Sequence, residues 1–444
     1  MNPTKICIDG FNLAMSKGSG IATYARNLNS VLRTLGYQTH ILYGPEQGLT
    51  KDPLLNEIAL FDAPTPPSLS RWFSDFRRNL ASLRNPLGRT AVGLVSTGGV
   101  ITRQVEQAAP PRDRTWIAGD IFHGANRAYS ALGRFTPLRF DGDAAERPDV
   151  VHWTCTLPIR APQARNLYTI HDLVPLRLPF ATLDNKRRFL AMCREIRDTA
   201  DHIVTVSEHS KQDLVRILGV KPDAVTVTYQ SVELPAAMLA RPDTDVAKEI
   251  EGVFGLGWRD YFVFFGAVEP KKNLARVIEA YLASGVSAPL VIIGGKAWLD
   301  NDEIQLMYED IVEVSALRDG QIRRNDRVRR YEYLPFRLLT SLIRGAKATL
   351  LPSLYEGFGL PVLESMLLGT PVLSSTAGSL PEIAGDGALL VDPYDTLAIR
   401  KAIEALDADE GLRSSLTERG LLQAAKFSPA AYQERLGALY RTLH

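Results

Sequence analysis

A chain of 444 residues with 45% hydrophobic and 23% charged residues has an ordinary globular composition, and it is longer than one hydrophobic core usually organises, so two domains are expected. A formal net charge of +1 argues against nucleic acid as the main partner, and no stretch reaches the roughly eighteen consecutive apolar residues of a membrane span. Cys7, Cys155 and Cys193 are widely spaced with no CxxC pair, which reads as three reduced packing thiols in a cytosolic protein.

The first ten residues read as a short buried strand entering a loop, not as a secretory signal. Strands are expected over 5–9, 38–43, 149–153, 166–171, 202–207 and 225–229, with helices over 21–35 and 185–200, an alternation that predicts a parallel α/β sheet. The loop Gly18-Ser-Gly-Ile-Ala-Thr-Tyr24 opens the first helix, and Gly20 there lets backbone amides approach an anion; a plain helix-capping loop has the same composition. Thr169-Ile-His-Asp-Leu-Val-Pro-Leu176 places His171 at the carboxyl end of a strand, where a neutral imidazole can exchange hydrogen bonds with a hydroxyl. An isolated histidine is more often a satisfied structural residue, and His152 and Asp172 read as residues that shape a pocket.

Between 61 and 140 lie eleven arginines, no lysine and five acidic residues, a local net charge of +6. Within that segment Trp72, Phe73, Phe76, Leu80 and Leu83 recur at helical spacing with arginines beside them. A helix over 71–84 would either pack on its own domain or lie on an anionic membrane surface. A polar, proline-bearing stretch over 235–257 is the expected linker, dividing the chain into domains over 1–240 and 258–428.

The second half alternates more regularly, with strands over 261–265, 289–293, 328–333, 347–352, 371–375 and 388–392. After its first strand, Gly266-Ala-Val-Glu-Pro-Lys-Lys-Asn273 brings Lys271 and Lys272 to a strand end beside a helix start, a place where an ammonium meets a diphosphate; a surface turn is the simpler reading of an isolated lysine pair. The stretch Glu356-Gly-Phe-Gly-Leu-Pro-Val-Leu-Glu364 sets two carboxylates around a glycine turn and a helix start at Pro361. The amides of Gly357, Phe358, Gly359 and Leu360 would seat a phosphate or sugar hydroxyls, and Glu356 and Glu364 would accept from vicinal hydroxyls on either side. The pairs Asp141/Asp143 and Asp407/Asp409 read as solvated acids, the arginine-rich run 323–330 as an exposed face, and Gly294-Gly-Lys296 lacks the spacing of a P-loop.

The nine-residue string from Glu356 to Glu364, continued by Gly369-Thr-Pro-Val-Leu-Ser-Ser-Thr-Ala-Gly-Ser-Leu-Pro-Glu-Ile-Ala-Gly385, resembles the signature of retaining glycosyltransferases of family 4. The branch it resembles builds bacterial surface polysaccharides by mannosyl or rhamnosyl transfer. That resemblance implies the GT-B fold, two Rossmann-like domains facing across a cleft, with the last helix, about 429–443, crossing back onto the first domain. It implies a nucleotide-diphosphate sugar donor, GDP-linked as a first expectation, and a glycan or lipid-linked glycan acceptor, with no metal or other cofactor; the cysteines fit a cytoplasmic place, and a helix over 71–84 lying on anionic lipid would bring it to the inner face of the plasma membrane.

By the same resemblance the catalytic residues are His171 near the donor sugar, Lys272 on the departing phosphate and Glu356 on the sugar. Gly20, Lys271, Gly357, Phe358, Gly359, Leu360 and Glu364 would bind the donor, and Gly294 to Trp298 would form a turn near it. Ala267 stands where relatives carry an arginine, with Lys271 supplying part of that charge, and Glu332 stands where they carry a glycine near the base. Two other classes fit the architecture: a glycan-binding or regulatory protein without turnover, and a sugar epimerase or phosphorylase.

Overall fold

The computed structural model describes residues 3–13, 20–46, 49–61, 82–100, 110–295, 316–318, 321–323 and 327–443. Gly18, Ser19, residues 71–81 of the basic segment, 296–298 and 324–326 lie outside the described residues.

The first sheet has ten strands: β1 (Lys5–Asp9), β2 (Gln38–Tyr43), β3 (Arg89–Gly93), β4 (Arg114–Ile117), β5 (Thr136–Phe140), β6 (Val150–Trp153), β7 (Ile159–Arg160), β8 (Arg165–Thr169), β9 (His202–Thr205) and β10 (Val225–Val227). Their order is β10-β9-β8-β6-β1-β2-β4-β3-β5-β7, parallel throughout except for the β3–β4 pair. β1 pairs with β2 from Lys5↔Gln38 to Asp9↔Leu42 and with β6 from Ile6↔Val150 to Ile8↔His152, so it is central, and its apolar run is covered on both faces. Helix α1 (Gly20–Thr34) buries Tyr24, Leu28, Val31 and Leu32, one helical stripe, against that sheet.

The basic segment 61–140 contributes β3, β4, β5 and helix α2 (Ile121–Leu132) to the same domain. Those strands are short and arginine-bearing, so their alternation is weak in the sequence. Burial is nonetheless complete at Trp116 and Phe140, which meet edge to face at 5.1 Å. Helices α3 (Lys186–Thr199) and α4 (Glu208–Leu218) follow β8 and β9.

The expected linker is largely helix α5 (Asp243–Phe254), which turns Val246, Ile250 and Phe254 inward at a spacing of four. Its partners are in the second domain: Glu249 pairs with Arg337 at 2.8 Å and with the hydroxyl of Ser341 at 2.6 Å, and Asp243 pairs with Arg344 at 2.8 Å. The second domain therefore begins before residue 258, because the polar surface of this stretch hides a one-sided apolar stripe.

Six parallel strands form the second sheet: β11 (Phe262–Phe265), β12 (Leu290–Ile293), β15 (Val328–Tyr331), β16 (Ala348–Leu351), β17 (Val372–Ser375) and β18 (Ala388–Val391). A separate antiparallel hairpin, β13 (Ala316–Arg318) and β14 (Gln321–Arg323), lies between β12 and β15 in the chain. The order β15-β12-β11-β16-β17-β18 is the 3-2-1-4-5-6 arrangement of nucleotide-binding sheets, and its direction reverses between β11 and β16. Helices α6 (Leu274–Ser284), α7 (Phe336–Arg344), α8 (Leu360–Leu367), α9 (Thr396–Ala408) and α10 (Glu410–Ala425) complete this domain.

Helix α11 (Pro429–Thr442) crosses back onto the first domain, as expected. Its Tyr440 hydroxyl lies 2.6 Å from His152 Nδ1, His152 Nε2 lies 2.7 Å from Thr169 Oγ1, and the Tyr24 hydroxyl closes the chain on Thr169 at 2.9 Å. Burial pushes His152 down to about 3, with the charges of His171 and His202 adding to it, so the ring is neutral and structural. Replacing Tyr440 with Phe leaves one buried ring nitrogen of His152 without its partner. That change is expected to cost about 1–3 kcal/mol, read as a lower denaturant midpoint. An unaltered midpoint would show that the relay does not hold α11 in place.

Candidate active site

The loops that follow β11 and β16 meet where the sheet order reverses. β11 runs into Gly266 and then a single 3-10 turn, Pro270–Lys272, which Asn273 ends in the left-handed region at φ 61°. The buried Asn273 amide donates to the carbonyls of Pro352, at 3.0 Å, and Pro393, at 2.7 Å, and so pins this turn to the ends of β16 and β18. Lys272 Nζ then reaches Glu356 Oε1 at 2.5 Å, with both side chains nearly enclosed at 12% and 10% exposure. Lys271 Nζ stands 3.6 Å from Glu269.

Gly357 is where the second domain touches the first. A Cβ on it would lie 2.8 Å from the carbonyl oxygen of His171 and from the Asp172 side chain, so any larger residue would force the domains apart. Its own carbonyl accepts from Ser207 Oγ at 2.7 Å, and Ser379 Oγ bridges the carbonyls of Glu356 and Phe358 at 3.0 and 2.9 Å. Gly359, at φ 105°, turns the chain into α8. A Cβ on Gly20 would meet Leu360 Cδ1 at 3.5 Å, so the amino ends of α1 and α8 face each other across the cleft.

Phe358 was expected to offer its backbone amide, and its side chain has a separate, structural place. Its ring packs against Phe427 at 5.7 Å and Tyr229 at 6.5 Å, where the chain crosses between domains, and only its backbone is left for a ligand. An apolar ring next to a glycine turn does not reveal from the sequence which way it points.

Charge and burial compete at each titratable group of the site. Burial would raise the Glu356 carboxyl, but the charges of Lys272 and Lys271 and hydrogen bonds from Lys272 and Ser353 hold it below the usual carboxylate range. Burial works against the charged form of Lys271, yet Glu356, Asp172 and Glu269 together hold it above an ordinary lysine. Glu364, partly buried one turn into α8, is pushed up to about 7 by desolvation, which Lys272 only partly offsets. His171 is lowered by burial, against smaller opposing effects from the Thr154 carbonyl and Asp172. Its Nε2 lies 2.9 Å from that carbonyl and must donate to it, so the neutral ring keeps Nδ1 as a free acceptor.

Three supporting residues escaped the sequence reading. Asp9, fully buried at the end of β1, accepts from the Thr154 amide whose carbonyl holds His171, and burial raises its carboxyl to about 6. Tyr24 sets its ring edge-on to His171 at 4.9 Å. Asn273 lies inside the lysine string, but its two carbonyl partners are distant in sequence. The only signals were a carboxylate ending an apolar strand and an asparagine before a helix.

The remaining residues fall away from this centre. Asp141 and Asp143 are exposed, Asp407 pairs with Lys347 at 2.7 Å, and Asp409 caps α10 through the Leu412 amide at 2.8 Å. Glu332 is exposed just past β15, with its backbone beside Gly295. Cys7, Cys155 and Cys193 are free. Among the described residues no helix is long and apolar enough to cross a membrane.

Residues 252–423 match the family model for glycosyl transferases group 1, and residues 100–234 match that for glycosyltransferase family 4. The O-antigen chain mannosyltransferase B of Escherichia coli is 31% identical over 269 residues, 60% of this chain and 67% of that protein. The serotype-specific mannosyltransferase WbdA of Escherichia coli is 24% identical over 282 residues, 62% of this chain but only 33% of that longer protein. Among solved structures, Anabaena Alr3699/HepE in complex with UDP and glucose superposes with a TM-score of 0.65 at 12% identity, covering 99% of this chain and 100% of that one, a likeness of fold.

The raised carboxyl of Glu364 sets a pH dependence. Its folded value, about 7, exceeds its ordinary 4.5, so the stability linked to its proton is present below about 4.5 and is lost as pH rises through 7. Glu364→Gln should therefore melt higher than the unmodified protein at pH 8 and show no such advantage at pH 4.5. An equal offset at both values would contradict the assignment.

Proposed function

This chain belongs to the family 4 glycosyltransferases of GT-B fold, and we propose that it transfers a sugar, mannose in the first instance, from a GDP-linked donor to a glycan or lipid-linked glycan with retention of configuration. The observation that carries this reading is the Lys272–Glu356 pair at the switch point of the second sheet, facing His171 through the Gly357 contact. The mannosyltransferase relatives support the choice of sugar.

Each group then has a defined task. Lys272 compensates the charge growing on the leaving diphosphate, with Lys271 beside it supplying part of the charge of the arginine that the resemblance places at Ala267. The amino ends of α1 and α8 add their partial charges from opposite sides. Glu356 accepts hydrogen bonds from the hydroxyls of the transferring sugar, Glu364 from those of the ribose, and His171 Nδ1 from a sugar or acceptor hydroxyl. The acceptor oxygen bonds to the anomeric carbon on the face from which the phosphate departs, as the bond from that carbon to the phosphate oxygen breaks, and a phosphate oxygen takes the acceptor's proton. Positive charge comes from lysines and amides, so the reading requires no metal ion and no protein nucleophile.

The reading places the protein in the cytoplasm, with Arg77, Arg78 and Arg84 of segment 71–84 against the anionic inner face of the membrane where a lipid-linked glycan would be presented. Replacing those three with Glu should abolish co-sedimentation with anionic vesicles. Sedimentation unchanged by the replacement would remove this contact.

Lys272→Ala leaves the enclosed Glu356 carboxylate without its partner and so should melt lower, yet in protein still folded at the assay temperature turnover should fall on the order of a hundredfold to a thousandfold. Turnover is read as nucleoside diphosphate released only in the presence of acceptor, which separates transfer from epimerisation and from binding alone. Among nucleotide sugars, GDP-mannose should give the largest upward shift in melting temperature. Unimpaired turnover in the alanine variant would refute the role of Lys272, and a larger shift with a UDP- or ADP-sugar would refute the guanine donor.

A further inference from the structure

Tyr355 immediately precedes Glu356 and is almost fully buried, yet apart from Leu354 the apolar residues it clusters with belong to the first domain. Its ring lies in a small apolar cluster with Val174, Leu178 and Ala181, and His209 meets it edge to face at 5.5 Å. Its hydroxyl donates to Asp213 Oδ2 at 2.7 Å. Asp213 is only 2% exposed, and its charge is answered within its own domain by Arg216 at 3.0 Å and Arg177 at 3.3 Å. The first domain thus holds a socket whose charge is compensated before Tyr355 arrives, with one carboxylate oxygen directed to the tyrosine hydroxyl.

Helix α4 carries this socket and also gauges the distance between the two halves of the site. Ser207, its capping residue, and Ser210 both reach the Gly357 carbonyl, and the Ser210 hydroxyl also lies 2.9 Å from the carbonyl of His171. Glu382 of the second domain accepts the amides of Glu208 and His209, at 2.9 and 3.2 Å, where the amino end of α4 favours a carboxylate. Tyr355, Gly357 and Glu382 therefore touch one short face of α4, and that face is tied to His171.

We propose that Tyr355 and Asp213 are a positioning pair: docking of Tyr355 into the α4 socket fixes Glu356 and the lysine bound to it opposite His171. This rests on the proposed transfer reaction for its consequence in turnover, while the docking itself is independent of that reading. Donor binding is carried mainly by the second domain, so loss of the latch slows transfer more than it weakens donor binding.

Tyr355→Phe removes only the hydroxyl, and Asp213→Asn keeps an acceptor but not the charge. In Tyr355→Phe, turnover at saturating substrates should fall about tenfold to a hundredfold with donor affinity unchanged. Asp213→Asn also weakens the Arg177 and Arg216 pairs, so the test is the coupling: removing the Tyr355 hydroxyl should cost less turnover in the Asp213→Asn background than in the unmodified protein, because the two residues share one bond. Backbone amides of 353–359 should exchange hydrogen faster in Tyr355→Phe than in the unmodified protein. Full turnover and unchanged exchange in that variant would overturn the proposal, as would equal losses in turnover and donor affinity. If the unmodified protein transfers no sugar to any acceptor, the proposed function fails, and the exchange comparison alone still decides whether Tyr355 docks.

Discussion

The site depends on an ion pair kept out of water at a place where a sheet changes direction. Removing two charges from solvent is costly, and such a pair persists only where geometry and further hydrogen bonds repay the desolvation. Here the repayment is local. Asn273 fixes the lysine turn to the ends of β16 and β18, and Ser353 and Lys272 both bond the Glu356 carboxylate. The parallel order β15-β12-β11-β16 leaves a gap above the β11–β16 boundary because the connections on its two sides run in opposite directions. Lys272 and Glu356 fill the floor of that gap, so an anion entering it meets an ammonium already held in place.

Among the described residues, three junctions between the two domains differ in physical character. Polar contacts dominate around α4, where serine hydroxyls and helix amides hold the Gly357 and Glu382 region. An aromatic triangle of Tyr229, Phe358 and Phe427, with the Arg435 guanidinium 4.7 Å above the Tyr229 ring, forms the second junction. Tyr229 sits there at φ 58°, a conformation a tyrosine rarely adopts, just past β10 where the chain leaves the first sheet. The third junction is α11, whose Tyr440 reaches His152 and, through Thr169, the Tyr24 ring beside His171. Tyr440 thus ties the last helix to the position of the histidine, while Phe358 fastens the glycine turn to the crossing segment.

The strands that flank the site were readable from sequence because β11 and β16 are buried throughout and are mostly apolar, while β1 and β8 keep buried apolar residues at their centres. The placement of the lysine string and the two-glutamate string between a strand and a helix was readable in the same way, whereas their assignment to a site came from the family resemblance. Three kinds of feature were not. Short strands such as β3 and β5 carry arginines on exposed edges, which hides their alternation. Helix α5 is rich in acidic residues, of which Glu249 is turned to the second domain, and this polar composition looked like a linker. The direction of Phe358, the partners of Asn273 and the socket for Tyr355 depend on residues far away in sequence, and no local pattern encodes them.

Closure and charge stabilisation are one requirement in this arrangement. The amino end of α1 belongs to the first domain, whereas α8, Lys271 and Lys272 belong to the second. Each helix end carries only about half a charge, whose influence fades within a turn and is weakened by water. Their fields add at one point only when Gly20 stands against Leu360, and the residues that enforce that approach are Gly357, which allows contact, and the α4 contacts, which fix it. With the domains apart, the same groups would face solvent of high dielectric, where a charge pair at a given distance is worth several-fold less than in an enclosed cleft. The glycine at 357 is therefore an electrostatic residue by consequence: without a side chain of its own, it sets the separation over which every positive group in the cleft acts.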